Sequence, residues 1–334
     1  MAAMESGRLL AVTWWCHTLK VPWTWTPRVY LGVWLLVALL GVSYGVAVHR
    51  HGREGQRSPD DRRRVIVFYL GLALFWLASD WPIATLGGAY LLSVHVVIYI
   101  LYTFGAAPLM LVGIPRWMAD RILARTRAAG AVSLLATPWI AGLQINVVLV
   151  LTHLPPVVDT LRSNQAGSFV LDLAWMVSAI VAWLPVASPR REDRIASAIY
   201  TCVYLFLAFQ VFPMLPGSLI TFASLPVYRV YELAPRIGTW SAISDQQLAG
   251  ALMAIGCTPV VWSLIGVIFI RAGDDSDRRR RHDVFDTATG LWLRADGTTA
   301  TTATPSTLDG VAVTAAASAN GSANGSTNGS TGRS

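Results

Sequence analysis

Apolar residues in this chain come in long unbroken runs and do not alternate with polar ones. Seven runs fall at about 29–48, 65–79 (extendable to Ile83), 89–113, 132–152, 168–188, 195–214 and 250–270. Runs of roughly 20 apolar residues cross a bilayer as helices, because a helix bonds its own backbone and leaves none of it to lipid. The pattern predicts an all-α fold, a polytopic membrane protein with a seven-transmembrane-helix bundle over residues 28–273. Residues 1–27 form an N-terminal segment, and residues 274–334 a polar tail. The second run is the shortest and is interrupted by Asp80, Trp81 and Pro82. Proline disfavours helix at the residue before it, so a helix end is expected there, with Trp81 at the membrane interface.

Composition agrees. The chain is 54% hydrophobic and 13% charged, whereas average soluble domains carry about 25% charged residues. That excludes a soluble enzyme. The net charge of +7 does not point to nucleic acid, because the basic residues sort into alternate loops. One set is Arg50, Arg53, Arg57 and Arg62 to Arg64; Arg116, Arg121, Arg125 and Arg127; Arg190, Arg191 and Arg194; and Arg271 with Arg278 to Arg281. The other loops hold only Arg8, Lys20, Arg28, Arg162, Arg229 and Arg236. The positive-inside rule then places the N-terminus outside and the C-terminus inside, as seven spans require. A multi-pass protein with the lipid bilayer as its solvent is the expectation.

The N-terminal segment carries Trp14, Trp15, Trp23 and Trp25 and is expected to lie at the outer interface. The tail from 283 is rich in Ala, Thr, Ser, Gly and Asn and is expected to be a disordered, low-complexity stretch; Asn320, Asn324 and Asn328 each open an Asn-Gly-Ser triplet. Cys16, Cys202 and Cys257 are scattered without CxxC or CxxxC spacing, which argues against a disulfide framework and a two-thiolate copper site.

Ionisable groups inside the runs are few. Lys and Arg are absent there, and His95, His153, Asp80 and Asp172 lie in or beside the runs, all toward the outer end. Tyr99 is one turn beyond His95 on the same face, Met176 one turn beyond Asp172, and Met253 one to two turns into the seventh run after Asp245. An ionisable side chain at membrane depth marks a site. Imidazole suits copper and zinc, and thioether suits Cu(I), so His95, Tyr99, His153, Asp80, Asp172, Asp245 and the nearby methionines together read as a metal or proton site open to the outside. Gln144 and Asn146 in the middle of the fourth run read as glue between helices.

Several stretches also resemble a known family. Ser93-Val94-His95-Val96-Val97-Ile98-Tyr99 followed by Ala106-Ala107-Pro108-Leu109 and Val112-Gly113-Ile114-Pro115 resembles the third span of the CtaG-like cytochrome c oxidase assembly factors. His153-Leu154-Pro155, Ala182-Trp183-Leu184-Pro185-Val186, Pro226-Val227-Tyr228 with Tyr231, and Asp245 to Met253 resemble later motifs of that family, in the same order. The resemblance implies a seven-span, multi-pass protein of the plasma membrane, not an enzyme, that helps to mature a haem–copper oxidase by delivering or staging copper on the outer side. Cytochrome c oxidase subunits are its implied partners. The chain departs from the family in its histidine pairs. Tyr99 stands where the family's HxxxH motif has its second histidine, and Ser168, Leu171 and Asp172 fill the slots of a second histidine pair. Of the metal ligands the resemblance implies, His95 and His153 remain, with Asp172 and Met253 as helpers, and these four are the candidate copper ligands.

The alternative is a small-ion or copper transporter or channel. That reading needs polar groups along a whole path, and the inner half of the runs offers little beyond Gln144, Asn146 and Cys202. A retinal protein is excluded because the sole lysine, Lys20, lies outside the runs. No GxSxG, HExxH or GxxxxGK[ST] motif is present.

Overall fold

The structure, a computed structural model, describes residues 13–53, 59–282, 284–286 and 291–293. Contacts divide the chain into two units, Met1–Ala272 and Gly273–Ser334. In chain order the helices are α1 Leu31–Arg53, α2 Pro59–Ser79, α3 Ile83–Ala89, α4 Leu92–Gly113, α5 Arg116–Thr126, α6 Ala129–Leu135, α7 Pro138–Thr152, α8 Pro155–Arg162, α9 Gln165–Ala187, α10 Ala198–Phe222, α11 Arg229–Glu232, α12 Ala242–Ile255 and α13 Thr258–His282. Five helices are long and apolar enough to cross a membrane alone: α1, α4, α9, α10 and the stretch Ala242–Asp274. Two bent pairs bring the count to as many as seven, α2 with α3 at 47° and α6 with α7 at 76°. The expected all-helical, multi-span architecture is therefore present.

The boundaries differ from the sequence expectation where proline or a capping side chain intervenes. The second run does stop at Ser79, but Pro82 opens a second helix, α3, where an interfacial end is expected. The fourth run breaks before Pro138, which occupies the first turn of α7, where its missing N–H costs nothing. The seventh run starts at Ala242, because Ser241 accepts the Ser244 N–H at 3.1 Å and caps the helix. The sixth runs on to Phe222 through Pro213 and Pro216.

That continuation needs internal repair, since lipid offers no hydrogen bonds. Each of α4 and α10 contains a widened turn, Leu101–Ala106 and Leu207–Val211, with a proline soon after it. In α4 the Ala107 N–H bonds back to Tyr102 O, and Pro108 has no N–H, so Thr103 O loses both possible helix donors. Trp183 Nε1 of α9 donates to Thr103 O at 2.6 Å. In α10 the Phe212 N–H goes to Leu207 O, and Pro213 has no N–H, which orphans Ala208 O and Phe209 O. Asn146 Nδ2 of α7 donates to Ala208 O at 3.0 Å, and Cys257 Sγ to Phe209 O at 3.1 Å. Gln144 Nε2 likewise reaches Ser178 O at 2.8 Å. Gln144 and Asn146 thus act as the interhelical glue expected of them.

Helices α10 and α12 pack backbone to backbone. A Cβ on Gly250 would stand 2.5 Å from Thr221 N and 2.6 Å from Gly217 O, so only glycine permits the approach.

Part of the N-terminal segment packs into the helical bundle. Trp15 and Cys16 are buried at 2% exposure each. Gln165 Oε1 accepts the Trp14 and Trp15 N–H groups at 2.8 and 3.2 Å, and Cys16 Sγ donates to Ala84 O at 3.1 Å. Burial pushes the Cys16 thiol up to about 12, so it serves as a neutral donor. Within the second unit, Val284–Asp286 pairs antiparallel with Leu291–Leu293. Those six residues are apolar-rich strand formers inside a segment expected to be wholly without order. The Asn-Gly-Ser triplets, Arg8 and Arg57 lie outside the described residues.

Replacing Trp183 by Phe keeps an aromatic ring beside Phe209 and removes the indole N–H together with part of the ring's volume. The expected outcome is a loss of about 1 kcal/mol, read as a lower thermal midpoint of the detergent-purified protein. An unchanged midpoint would show that Thr103 O needs no partner.

Candidate functional site

The ionisable groups gather where α3, α4, α7, α8, α9, α11 and the N-terminal segment meet. At the centre is a buried ion pair. Arg162, the last residue of α8, is 1% exposed, and Asp172, two turns into α9, is 6% exposed. Arg162 Nη2 donates to Asp172 Oδ1 at 2.8 Å and Nη1 to Oδ2 at 3.4 Å, while Trp15 Nε1 donates to Oδ2 at 2.8 Å. The Arg162 carbonyl accepts Thr18 N at 2.9 Å and Thr18 Oγ1 at 2.8 Å. One ion pair therefore ties α8, α9 and the N-terminal segment together. Asp172 enters the site as the counter-ion of Arg162, its two oxygens bonded to Arg162 and Trp15.

Trp175, one turn after Asp172, links the ion pair to two histidines. The Arg162 guanidinium carbon lies 5.4 Å from its ring centroid. On its other contacts Trp175 stacks on His153 (centroids 5.5 Å, planes 18°) and meets His95 edge-on at 4.8 Å. Its Nε1 donates to Thr152 Oγ1 at 2.9 Å. His95 and His153, 0% and 5% exposed, have ring centroids 5.7 Å apart.

Their hydrogen bonds assign the ring protons. The single Tyr231 hydroxyl proton goes to Gly87 O at 2.6 Å. Toward His95 Nδ1, 2.7 Å away, the hydroxyl must then accept. His95 in its neutral form is therefore protonated on Nδ1, and Nε2 carries the lone pair. His153 Nδ1 lies 2.9 Å from the Leu149 carbonyl, which can only accept, so the same tautomer holds. Both Nε2 atoms are buried and have no hydrogen-bond partner.

Other polar residues hold this pair in place. Leu91 gives α4 no side-chain cap. Asp245 of α12 supplies one from outside, accepting Leu92 N at 2.6 Å and Ser93 N at 3.2 Å, with Ser93 Oγ also bonded. A carboxylate at a helix N-terminus meets orphan N–H groups and the positive end of the helix dipole. Asp159 accepts Arg229 N and Val230 N and so caps α11, which carries Tyr231. Gln246 Oε1 accepts Val227 N at 2.7 Å. Tyr228 OH donates to His153 O at 2.7 Å. Gly87 allows α3 to sit against α4, since a Cβ there would come 2.9 Å from His95 N.

Of the sequence candidates, His95 and His153 are brought together and Asp172 lies beside them through Trp175. Tyr99 meets His153 edge-on at 5.5 Å. Met253 is buried on α12 at 3% exposure. Asp80 instead accepts Trp34 Nε1 at 2.9 Å. Among the described residues no group of three or more His, Cys, Asp or Glu is placed to hold a metal. The donor set for an ion is thus the two unpartnered imidazole nitrogens. Sequence reading missed Arg162, Trp15 and Tyr231. The available signals were an arginine in an otherwise arginine-poor loop and a tyrosine pair in a motif already singled out.

Losing one partner of a buried ion pair strands the other. Asp172→Leu alone should cost about 3–5 kcal/mol, and combining it with Arg162→Met should cost less than the single change. Thermal unfolding of the four proteins of the cycle checks this, and a double variant worse than Asp172→Leu would refute the coupling.

No curated protein and no solved structure matches the chain. A family model described as cytochrome c oxidase caa3 assembly factor matches residues 42–273. That stretch holds both histidines, the ion pair and Tyr231. By this match over most of its length, the chain belongs to the caa3 cytochrome c oxidase assembly factor family.

Proposed function

We propose that this chain acts at the plasma membrane on the subunits of a haem–copper oxidase and holds a copper ion as cargo between His95 and His153, at the outer face. The single observation that carries the reading is the pair of buried Nε2 atoms, each left with a lone pair by the bond its Nδ1 makes. A buried imidazole nitrogen without a donor is costly unless something binds it. The 5.7 Å between ring centroids is short enough for one ion to reach both rings with bonds of about 2 Å.

Within this reading the roles divide by chemistry. His95 and His153 bind, through imidazole nitrogens suited to copper. Tyr231 and the Leu149 carbonyl orient the rings, as outer partners do in metal sites. Asp172 supplies no bond of its own and balances Arg162, so that the guanidinium beside Trp175 does not repel a cation uncompensated. The arginine-rich loops at the opposite end of the helices support the orientation with this site outside. The role is that of a carrier, with no bond of a substrate made or broken.

Copper bound by the purified full chain should fall at least tenfold in His95→Ala and in His153→Ala. Tyr231→Phe keeps both rings and should weaken binding by about tenfold. Equal copper in His95→Ala and the parent protein would end the copper reading. In cells lacking the protein, the a-type haem absorbance of the oxidase should drop, and unchanged absorbance would end the assembly reading.

A further inference from the structure

The far end of the bundle carries a second feature that the histidine site does not use. A recess of about 240 Å³ is lined by Arg63 and Arg64 at the start of α2, Val67 one turn on, Val112 at the end of α4, and Arg194 in the loop before α10. Arg64 Nη1 donates to Val112 O at 3.0 Å and to Ile114 O at 3.3 Å, carbonyls that the end of α4 leaves without helix partners. Arg194 Nε donates to Ser188 O, and its terminal nitrogens have no partner among the described residues. Loss of hydration, then the charges of Arg64 and Arg191, push the Arg194 guanidinium down from its ordinary value.

Neighbouring arginines are treated differently. Arg190 pairs with Glu192 at 3.0 Å and Asp120 at 3.5 Å, and Arg116 with the same two carboxylates at 3.3 and 3.5 Å. Among the described residues no carboxylate pairs with Arg63, Arg64 or Arg194. Glu192, Asp120 and Asp193 are thus paired with other arginines, and those lining the recess share a small space with no carboxylate ion-paired to them among the described residues. Guanidinium groups match phosphate oxygens in shape and charge. The remaining walls, Val67 and the 42%-exposed Val112, are apolar and belong to membrane-spanning helices. A cationic floor beside an apolar helix wall has the amphipathic form of a phospholipid.

We propose that the recess formed by Arg63, Arg64 and Arg194 binds a phosphoryl anion, with an anionic phospholipid headgroup as the source its apolar walls favour. Basic pockets between membrane helices bind such headgroups by charge and hydrogen bonding. Bound there, the phosphate joins α2, α4 and the loop before α10 at the membrane boundary.

Native mass spectrometry of the detergent-purified full chain tests this, with phosphatidylglycerol compared against phosphatidylcholine. The parent protein should prefer phosphatidylglycerol, and the preference should fall about fivefold for each arginine removed in Arg63→Gln and Arg63→Gln/Arg194→Gln. Arg116→Gln, already ion-paired at the same end, should leave it unchanged, and Arg194→Lys should retain most of it. An unchanged thermal midpoint shows that the variants fold. A second arm adds excess inorganic phosphate at constant ionic strength. Phosphatidylglycerol retained against phosphate identifies the lipid as the source, and displacement that requires the arginines identifies free phosphate. A parent protein without preference or phosphate effect, or a double variant with the full preference, overturns the proposal.

Discussion

A bilayer interior offers no hydrogen bonds, so every polar group in the spans must find its partner inside the protein. That constraint decides how the broken helices of this fold are held. Helices α4 and α10 keep their length through a widened turn and a proline only because Trp183, Asn146 and Cys257 bond the carbonyls set free. Helix α4 begins without a cap of its own and takes one from Asp245 of α12. In each case a defect in one helix is repaired by a side chain of another. The repairs thereby fix which helices are neighbours.

The same constraint explains the histidine pair. Arg162 is buried because Asp172 neutralises and bonds it, and Trp15 bonds Asp172 in turn. That pair anchors Trp175, whose ring fills the space between the guanidinium and both imidazoles. Tyr231 and the Leu149 carbonyl then consume the Nδ1 side of each ring. A protein that satisfies its other orphaned carbonyls across helices leaves two ring nitrogens open within one cluster. Low dielectric makes that omission expensive, which is why the copper reading rests on it. The two ends of the bundle differ in kind. One joins its charges in a closed network around histidine, and the other leaves arginines open in a shallow recess.

Much of this was legible in the residues. Runs of about 20 apolar residues announce membrane helices by length alone, and collinear motifs pointed to the family that the match over residues 42–273 shows. His95 and His153 stood out because ionisable groups are rare at membrane depth. Arg162 did not, because its position after α8 reads as a surface loop; only the return of the chain against Asp172 buries it. Trp15 was hidden by the same habit, since a tryptophan-rich segment outside the spans reads as an interfacial belt. Tyr231 was visible as part of a motif, but its bond to a histidine 136 positions away has no trace in local pattern.

The sequence by itself determined the membrane environment, the number of apolar segments, the sorting of arginine into alternate loops and the identity of the rare ionisable groups. These follow from transfer free energies, which depend on each residue and its immediate neighbours. Tertiary structure alone decided that Asp172 is a counter-ion, that Asp245 caps a distant helix, that Trp15 and Cys16 are buried, and that two imidazoles share one cluster with their Nε2 atoms open. Those outcomes depend on which groups meet across the bundle, and in a medium without water the partner a polar atom finds settles what it does.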